Sequence, residues 1–396
     1  MKRRKKTYQL TEKNAVIAAL FIFQYSILIP LMNYVNSSVL VGVSGMALFL
    51  AAFLINRKIE IDLRTGIVLV VLTIAFLLKT LFTKTEVSIL VEFLMIAVPP
   101  VLIFSYSFCP KTFLTCSYKL AFINFAVLCL MPFIGPKVAY MRFGYGMLLT
   151  VIFLYLQLFH KDASGNRAYF VLNFKRRKLL LWPVFIASAL EMVIFGSRGA
   201  LLAFVVFVLI HRFLISRKNA VWKLLLFGLL IVLVLNLEFI VGALISIAED
   251  LGVQSYALRK YEYQLKFGLE EASSGRAGLY ESALLTIEEY PFFGAPLVKY
   301  GDGTLYAHNL FLQVGRDFGV FALVLCAIFV AYCIYLMFAK KVKQDTKLII
   351  SAVFCISVMR LMVSSNVWER PEFWVLLCIV FRYKTLPSPR GVSVAK

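Results

Sequence analysis

Charge is scarce in this sequence: 16% of its 396 residues are Asp, Glu, Lys or Arg, against about 25% in an ordinary soluble domain. Acid is scarcer still, with 21 Asp and Glu against 42 Lys and Arg, and histidine occurs only three times. The seven cysteines have neither paired nor metal-ligand spacing, and Cys129, Cys326, Cys333, Cys355 and Cys378 lie inside apolar runs. That distribution excludes a disulfide framework and a zinc site and leaves them as small membrane-core residues. No repeat with a period of about 20–50 residues and no low-complexity tract occurs, which removes solenoids and long linkers. What fills the chain is apolar: 61% of it is hydrophobic, against roughly 45–50% in soluble domains. A soluble globule is excluded.

A net charge of +21 would elsewhere suggest nucleic acid. Here the bases fall in short clusters between long apolar runs, which is the pattern of membrane topology, so the partner is a lipid bilayer and not a nucleic acid. The N-terminus MKRRKK precedes an apolar stretch from Asn14 to Met32 with no small-residue cleavage site, so it predicts a first membrane helix and not a signal peptide.

Apolar runs predict spans at 14–32, 37–55, 65–82, 87–108, 114–134, 143–159, 179–195, 199–215, 222–247, 309–338, 348–363 and 367–383, each near the roughly 20 residues a bilayer requires. The expectation is an all-α polytopic membrane protein of about twelve transmembrane helices. Basic clusters fall in alternate connections: Lys2 to Lys6; Arg57, Lys58 and Arg64; Lys111; Lys161, Arg167 and Lys175 to Lys178; Arg212, Arg217, Lys218 and Lys223; Lys340 to Lys347; and the tail Arg382, Lys384, Arg390 and Lys396. With both termini cytoplasmic, all of these lie inside. The chain then divides into spans one to nine over 1–247, a long extracytoplasmic loop over 248–307, and the last three spans with a cytoplasmic tail over 308–396.

Two helices are expected in that loop. Tyr256 to Glu271 carries Leu258, Tyr261, Leu265 and Leu269 at spacings of three and four, as in an amphipathic helix at a membrane surface. Arg276 to Tyr290 carries Leu279, Ala283 and Ile287 on one stripe, with Ser273 or Ser274 as cap and Pro291 as terminator. Arg276 would then sit in the first turn, where free backbone N–H groups favour an anion.

A few polar residues at the outer boundary need a reason to be there. Arg198, in GSRGALLAF, is either a snorkelling anchor or a ligand contact, and Glu191 stands seven residues earlier on the same helical face. Its neighbours Gly196 and Gly199 permit a tight turn or a close ligand. His160 and His211 read as interfacial anchors beside Lys161 and Arg212. His308 opens AHNLFLQVGRDFGVF, where Asn309, Gln313 and Arg316 form a polar stripe. It is either an interfacial residue bonded to a neighbour or a base, since imidazole titrates near neutrality. Arg360 and Arg370, with Glu369, flank the outer ends of the last two spans; as surface ion pairs they would mean little, although Arg360 joins Asn309, Gln313 and Arg316 as a candidate substrate contact. Glu92, Glu191 and Glu238 fall inside runs, but no paired broken helices or repeated halves accompany them as a transporter fold would show. The loop carboxylates lack metal-ligand spacing, so no metal is expected.

Three ordered segments, SRGALLAFVV at Ser197, SGRAGLYESALLTIEEYPFFGAPL at Ser274 and AHNLFLQVGRDFGVFAL at Ala307, resemble the signature region of the O-antigen ligase and polysaccharide polymerase family. The resemblance covers about residues 190–340. It implies a GT-C-type glycosyltransferase of the cytoplasmic (inner) membrane, working on the extracytoplasmic face without nucleotide sugar, cofactor or metal. The donor it implies is a glycan joined through a diphosphate to undecaprenol, with a second such molecule as acceptor. Arg198 and Arg276 would hold the diphosphate, and His308 would act on the acceptor hydroxyl. Asp317 stands where many members have Glu. A flippase and a chain-length regulator are the protein partners such a polymerase would work beside. The expected function is polymerisation of lipid-linked repeat units of a capsule, exopolysaccharide or O-antigen, with a ligase or a lipid-linked glycan transporter as alternatives.

Overall fold

The computed structural model describes residues 2–35, 37–83, 85–134, 140–160, 177–215, 236–250, 255–272, 276–297 and 307–386. Among them every regular element is a helix: α1 (Lys2–Ile27), α2 (Ser37–Asn56), α3 (Leu63–Phe82), α4 (Val87–Ser105), α5 (Pro110–Leu128), α6 (Met131–Ile134), α7 (Tyr140–Phe159), α8 (Arg177–Phe195), α9 (Arg198–Leu209), α10 (Leu237–Asp250), α11 (Tyr256–Ala272), α12 (Arg276–Glu289), α13 (Leu310–Phe338), α14 (Gln344–Leu361) and α15 (Pro371–Arg382). A helix satisfies its own backbone polar groups, which lipid cannot do.

Six stretches among the described residues are long and apolar enough to cross a membrane: Val39–Asn56, Leu63–Phe82, Val87–Ser105, Pro110–Phe133, Tyr140–Phe159 and Leu310–Phe338. The remaining expected spans differ in detail. The first ends as an α-helix at Ile27 and tightens into a 3₁₀ turn over Ile29–Asn33, where Pro30 removes a backbone donor. The eighth is helical to Leu209 and then π-helical over Ile210–Ile215. Of the ninth, residues 222–235 lie outside the described residues, as do Lys161, Arg167, Lys175, Arg176, Arg217, Lys218, Lys223, Arg390, Lys396 and the expected caps Ser273 and Ser274.

α7 is the central column. Every residue from Phe143 to Leu156 is buried, against α1, α5, α8, α9 and α14, which is the place of a helix apolar on all sides. α2 and α3 stand outside, packed on α4, with Val43, Leu50, Leu54, Val70, Val71 and Ile74 exposed, as lipid-facing residues are. His160 and His211 are not interfacial anchors but buried: His160 Nδ1 lies 3.2 Å from His211 Nε2, His211 Nδ1 lies 3.2 Å from the Tyr155 hydroxyl, and Arg212 Nε donates to that hydroxyl at 2.8 Å. The π-helical turn places His211 and Arg212 together on one phenol of α7.

The expected continuous span 309–338 is broken. Gly319 has φ +83° and ψ 178°, a conformation open essentially to glycine alone, so α13 is a short segment, Leu310–Phe318, followed by a long one. The segment after α12 fills the break: Val320 N–H donates to Pro291 O at 2.8 Å and Ala295 N–H to Arg316 O at 2.8 Å. Lys79 Nζ of α3 pins the same segment through Gly294 O (3.1 Å) and Ala295 O (2.8 Å). A Cβ at Gly319 would stand 2.3 Å from Phe292 O. Gly319→Ala is therefore expected to cost about 1–3 kcal/mol from the backbone alone, before that overlap is relieved, and to lower the thermal unfolding midpoint in detergent. An unchanged midpoint would contradict this account of the break.

Candidate functional site

The first candidate element is the turn between α8 and α9. Ser197, with extended backbone, accepts from Ala200 N–H at 3.4 Å and caps α9, so Arg198 is the first residue of the helix. A Cβ at Gly199 would meet the Tyr145 hydroxyl at 2.2 Å and Val363 Cγ2 at 2.6 Å; only a glycine lets α9 approach α7 and the end of α14 so closely. Arg198 does not pair with Glu191, whose Oε2 has no hydrogen-bond partner among the described residues, but lies 5.8 Å from the ring centroid of Tyr261.

Tyr261 comes from α11, which is fixed by Ser255: its hydroxyl accepts from Leu258 N–H at 3.0 Å, capping the helix, and donates to Ile194 O at the end of α8. The neighbouring Lys260 reaches 5.9 Å from the Tyr140 ring. Burial lowers the pKa of Lys260, and the charges of Arg198 and Arg276 lower it further. Burial raises Tyr261 to about 12 despite Arg198 beside it. Lys260 was not singled out in the sequence, where the pattern of YALRKYEYQL marks an amphipathic face but not which of its cations turns inward.

Arg276 opens α12 and donates from Nη2 to Val363 O at 3.2 Å. His308 is hydrogen-bonded to the same backbone carbonyl, so a single group just beyond α14 gathers the second and third motifs. His308 holds φ +51°, an uncommon conformation for a residue with a side chain and one that concentrates at functional sites. Its pKa is lowered by burial first, then by Arg276 and Lys260, with the Val363 hydrogen bond opposing. A neutral imidazole that donates to a carbonyl from one nitrogen presents the other as an acceptor.

The rest of the third motif builds the turn that carries His308. Asn309 caps α13, its Oδ1 accepting from Phe311 N–H (2.9 Å) and Leu312 N–H (3.3 Å). Gln313 is buried; its Oε1 accepts from Ala307 N–H at 2.9 Å and its amide donates to Asp317. Arg316 Nε lies 3.9 Å from Asp317 Oδ1. Arg360 is buried as well. It is not part of a surface ion pair but only 3% exposed, its guanidinium 4.5 Å from the Tyr145 ring and 5.1 Å from the Tyr25 ring, with Glu372 Oε1 3.7 Å away. Arg370 also lies over the Tyr25 ring, 5.5 Å from its centroid, and donates to Ser365. Burial follows because α14 packs on α15 and on the central column.

Arg276 and His308 thus meet at Val363, Lys260 and Arg276 both act on His308, and Arg198 acts on Lys260 and Arg276. Among the described residues none of Arg198, Lys260 or Arg276 is ion-paired with a carboxylate. Half-buried cations that meet no carboxylate among the described residues favour an anionic ligand, and arginine offers paired donors suited to phosphate oxygens.

Residues 183–327 match the family model described as O-antigen ligase. That interval contains Arg198, Lys260, Arg276 and His308, and the match supports an O-antigen ligase- or polymerase-type membrane enzyme, the family that the three motifs resemble. A comparison with curated protein sequences returns no significant match.

Proposed function

We propose that the chain is a polymerase that joins polyprenyl-diphosphate-linked oligosaccharide repeat units at the extracytoplasmic face of the cytoplasmic membrane. One observation carries the reading: Arg276 and Lys260 act on His308, Arg198 acts on both of those cations, and among the described residues none of the three is ion-paired with a carboxylate. Arg198 and Arg276 hold the diphosphate of the donor, and Lys260 adds charge from above. The hydroxyl of the acceptor sugar attacks the anomeric carbon as its bond to the phosphate oxygen breaks. The bonding electrons leave with the diphosphate, where fixed guanidinium donors gain strength as charge develops, and the hydroxyl proton passes to His308. A single displacement inverts the anomeric centre.

The proposal includes twelve spans with both termini cytoplasmic and 248–307 outside. A thiol label at a cysteine placed at Ser274, in a background without native cysteines, should react from the extracytoplasmic side; reaction from the cytoplasmic side alone would overturn the placement of the site. Purified protein given a lipid-linked repeat unit should produce a ladder spaced by one repeat. Transfer of a single unit to a different acceptor would make it a ligase, and passage across a vesicle membrane without any new bond would make it a transporter.

The histidine also gives the reaction a pH signature. As a base, His308 must be neutral, and its pKa is lowered from 6.5 by burial, Arg276 and Lys260. Activity should therefore rise with pH through a midpoint below 6.5 and then stay level. Lys260→Ala removes a charge that disfavours the imidazolium, so the midpoint should move upward toward the ordinary value. A kcat/KM profile with the same midpoint in both proteins would contradict this.

A further inference from the structure

At the far end of α12 from Arg276, the chain turns through Pro291, Phe292 and Phe293 before it reaches the break in α13. Phe293 is 85% exposed and Phe292 63% exposed. This is not a loose loop able to fold its rings inward. Gly294 N–H donates to Tyr290 O at 3.1 Å, Val320 N–H to Pro291 O at 2.8 Å, and Lys79 holds Gly294 and Ala295 from the other side. The two phenyl rings are therefore presented outward by a fixed backbone, and whatever covers them comes from outside the described fold.

Their surroundings identify that cover. Phe292 stacks on Phe321 of α13, centroids 6.3 Å apart and planes at 28°. Phe321 is 69% exposed and begins an exposed stripe that continues through Leu325 and Ile328 to Tyr335, at the helical spacing of four, three and seven. α3, whose Lys79 holds Gly294 and Ala295, ends in Leu81 and Phe82, both exposed. The tip is thus continuous with the outward faces of two helices apolar enough to span a bilayer. Glu288 and Glu289 are exposed one turn earlier, so polarity changes from acidic to aromatic across a few residues, as it does at the headgroup boundary.

We infer that the Pro291–Phe293 tip is a lipid-seated wedge, with Phe292 and Phe293 among the acyl chains of the leaflet at the His308 end of α13. The wedge fixes the depth of α12, a rigid strut that carries Arg276 at its other end. The inference rests on α13 as a membrane span and not on the reaction proposed above. Aromatic rings at this level gain from both the hydrocarbon and the interface.

The test is fluorescence in lipid nanodiscs. Phe293→Trp and, separately, Phe292→Trp are compared with the parent, whose signal is subtracted, and with Glu281→Trp, which lies on exposed α12 surface. Seated in lipid, the tip tryptophans should show blue-shifted emission, strong quenching by lipids brominated along the acyl chain, and little quenching by aqueous acrylamide, while the position-281 tryptophan shows the reverse. Strong acrylamide quenching at both tip positions would place them in water and overturn the inference. Protection from both quenchers would also overturn it, in favour of a protein cover such as a second copy of the chain. Since no glycan is needed, the outcome stands apart from whether the protein polymerises anything.

Discussion

His308→Ala is expected to lower turnover by about 10²–10⁴-fold while lipid-linked donor still binds at close to parental affinity. The split follows from what the ring does. It touches the reaction only as the hydroxyl gives up its proton, so its loss falls on the transition state and hardly on the ground state. The site around it survives the substitution: Asn309 still caps α13, Gln313 still holds Ala307 N–H, and Arg276 keeps Val363 O. Affinity and turnover measured separately, by donor binding and by product formation in detergent, check the prediction. Parental turnover would show that another group takes the proton. Asp317 is the nearest carboxylate in the motif, but it is buried against Gln313 and Arg316.

Arg276→Ala should remove turnover by roughly 10²–10³-fold, the size seen when one charge-stabilising donor is lost, and unlike His308→Ala it should also weaken donor binding. Arg198→Ala should behave in the same way. Lysine at either position restores charge without the paired donors and should recover only part of the loss. The pattern of two cations that fail in both binding and turnover, beside a histidine that fails in turnover alone, separates diphosphate binding from proton transfer. An Arg198→Ala protein with full activity would make that residue a snorkelling anchor, the other meaning an arginine at a helix end can have. For Arg276 that alternative is weak, because its guanidinium points to the carbonyl that also holds His308.

Much of this arrangement was legible in the residues because the signals are local. Apolar length marks the helices, and spacings of three and four mark α11 and α12, which run over Tyr256–Ala272 and Arg276–Glu289, within two residues of the expected limits. What escaped the sequence is what depends on tertiary contact. Gly319 inside an apolar run reads as an ordinary glycine of a membrane helix, and only the close approach of Phe292 O shows why the helix breaks there. Arg360, at the end of an apolar run, reads as a boundary charge, whereas two tyrosines and Glu372 from other helices enclose it. Lys260 is one of several cations on an amphipathic helix, and its direction is set by the Ser255 link to α8. The Val363 carbonyl carries no side-chain signal at all, yet it is the group on which Arg276 and His308 meet. The residues proposed for the site are thus carried by ordered motifs, whereas the groups that orient them carry no such signal.

The most direct test of the central claim is the fate of the donor's lipid. Purified protein in detergent, supplied with a polyprenyl-diphosphate-linked repeat unit, should release one free polyprenyl diphosphate for every glycosidic bond formed, and His308→Ala should suppress both to the same degree. Glycan lengthening without release of polyprenyl diphosphate, or release that continues undiminished in the His308→Ala protein, would contradict the assignment of Arg198, Arg276 and His308 to one transfer centre.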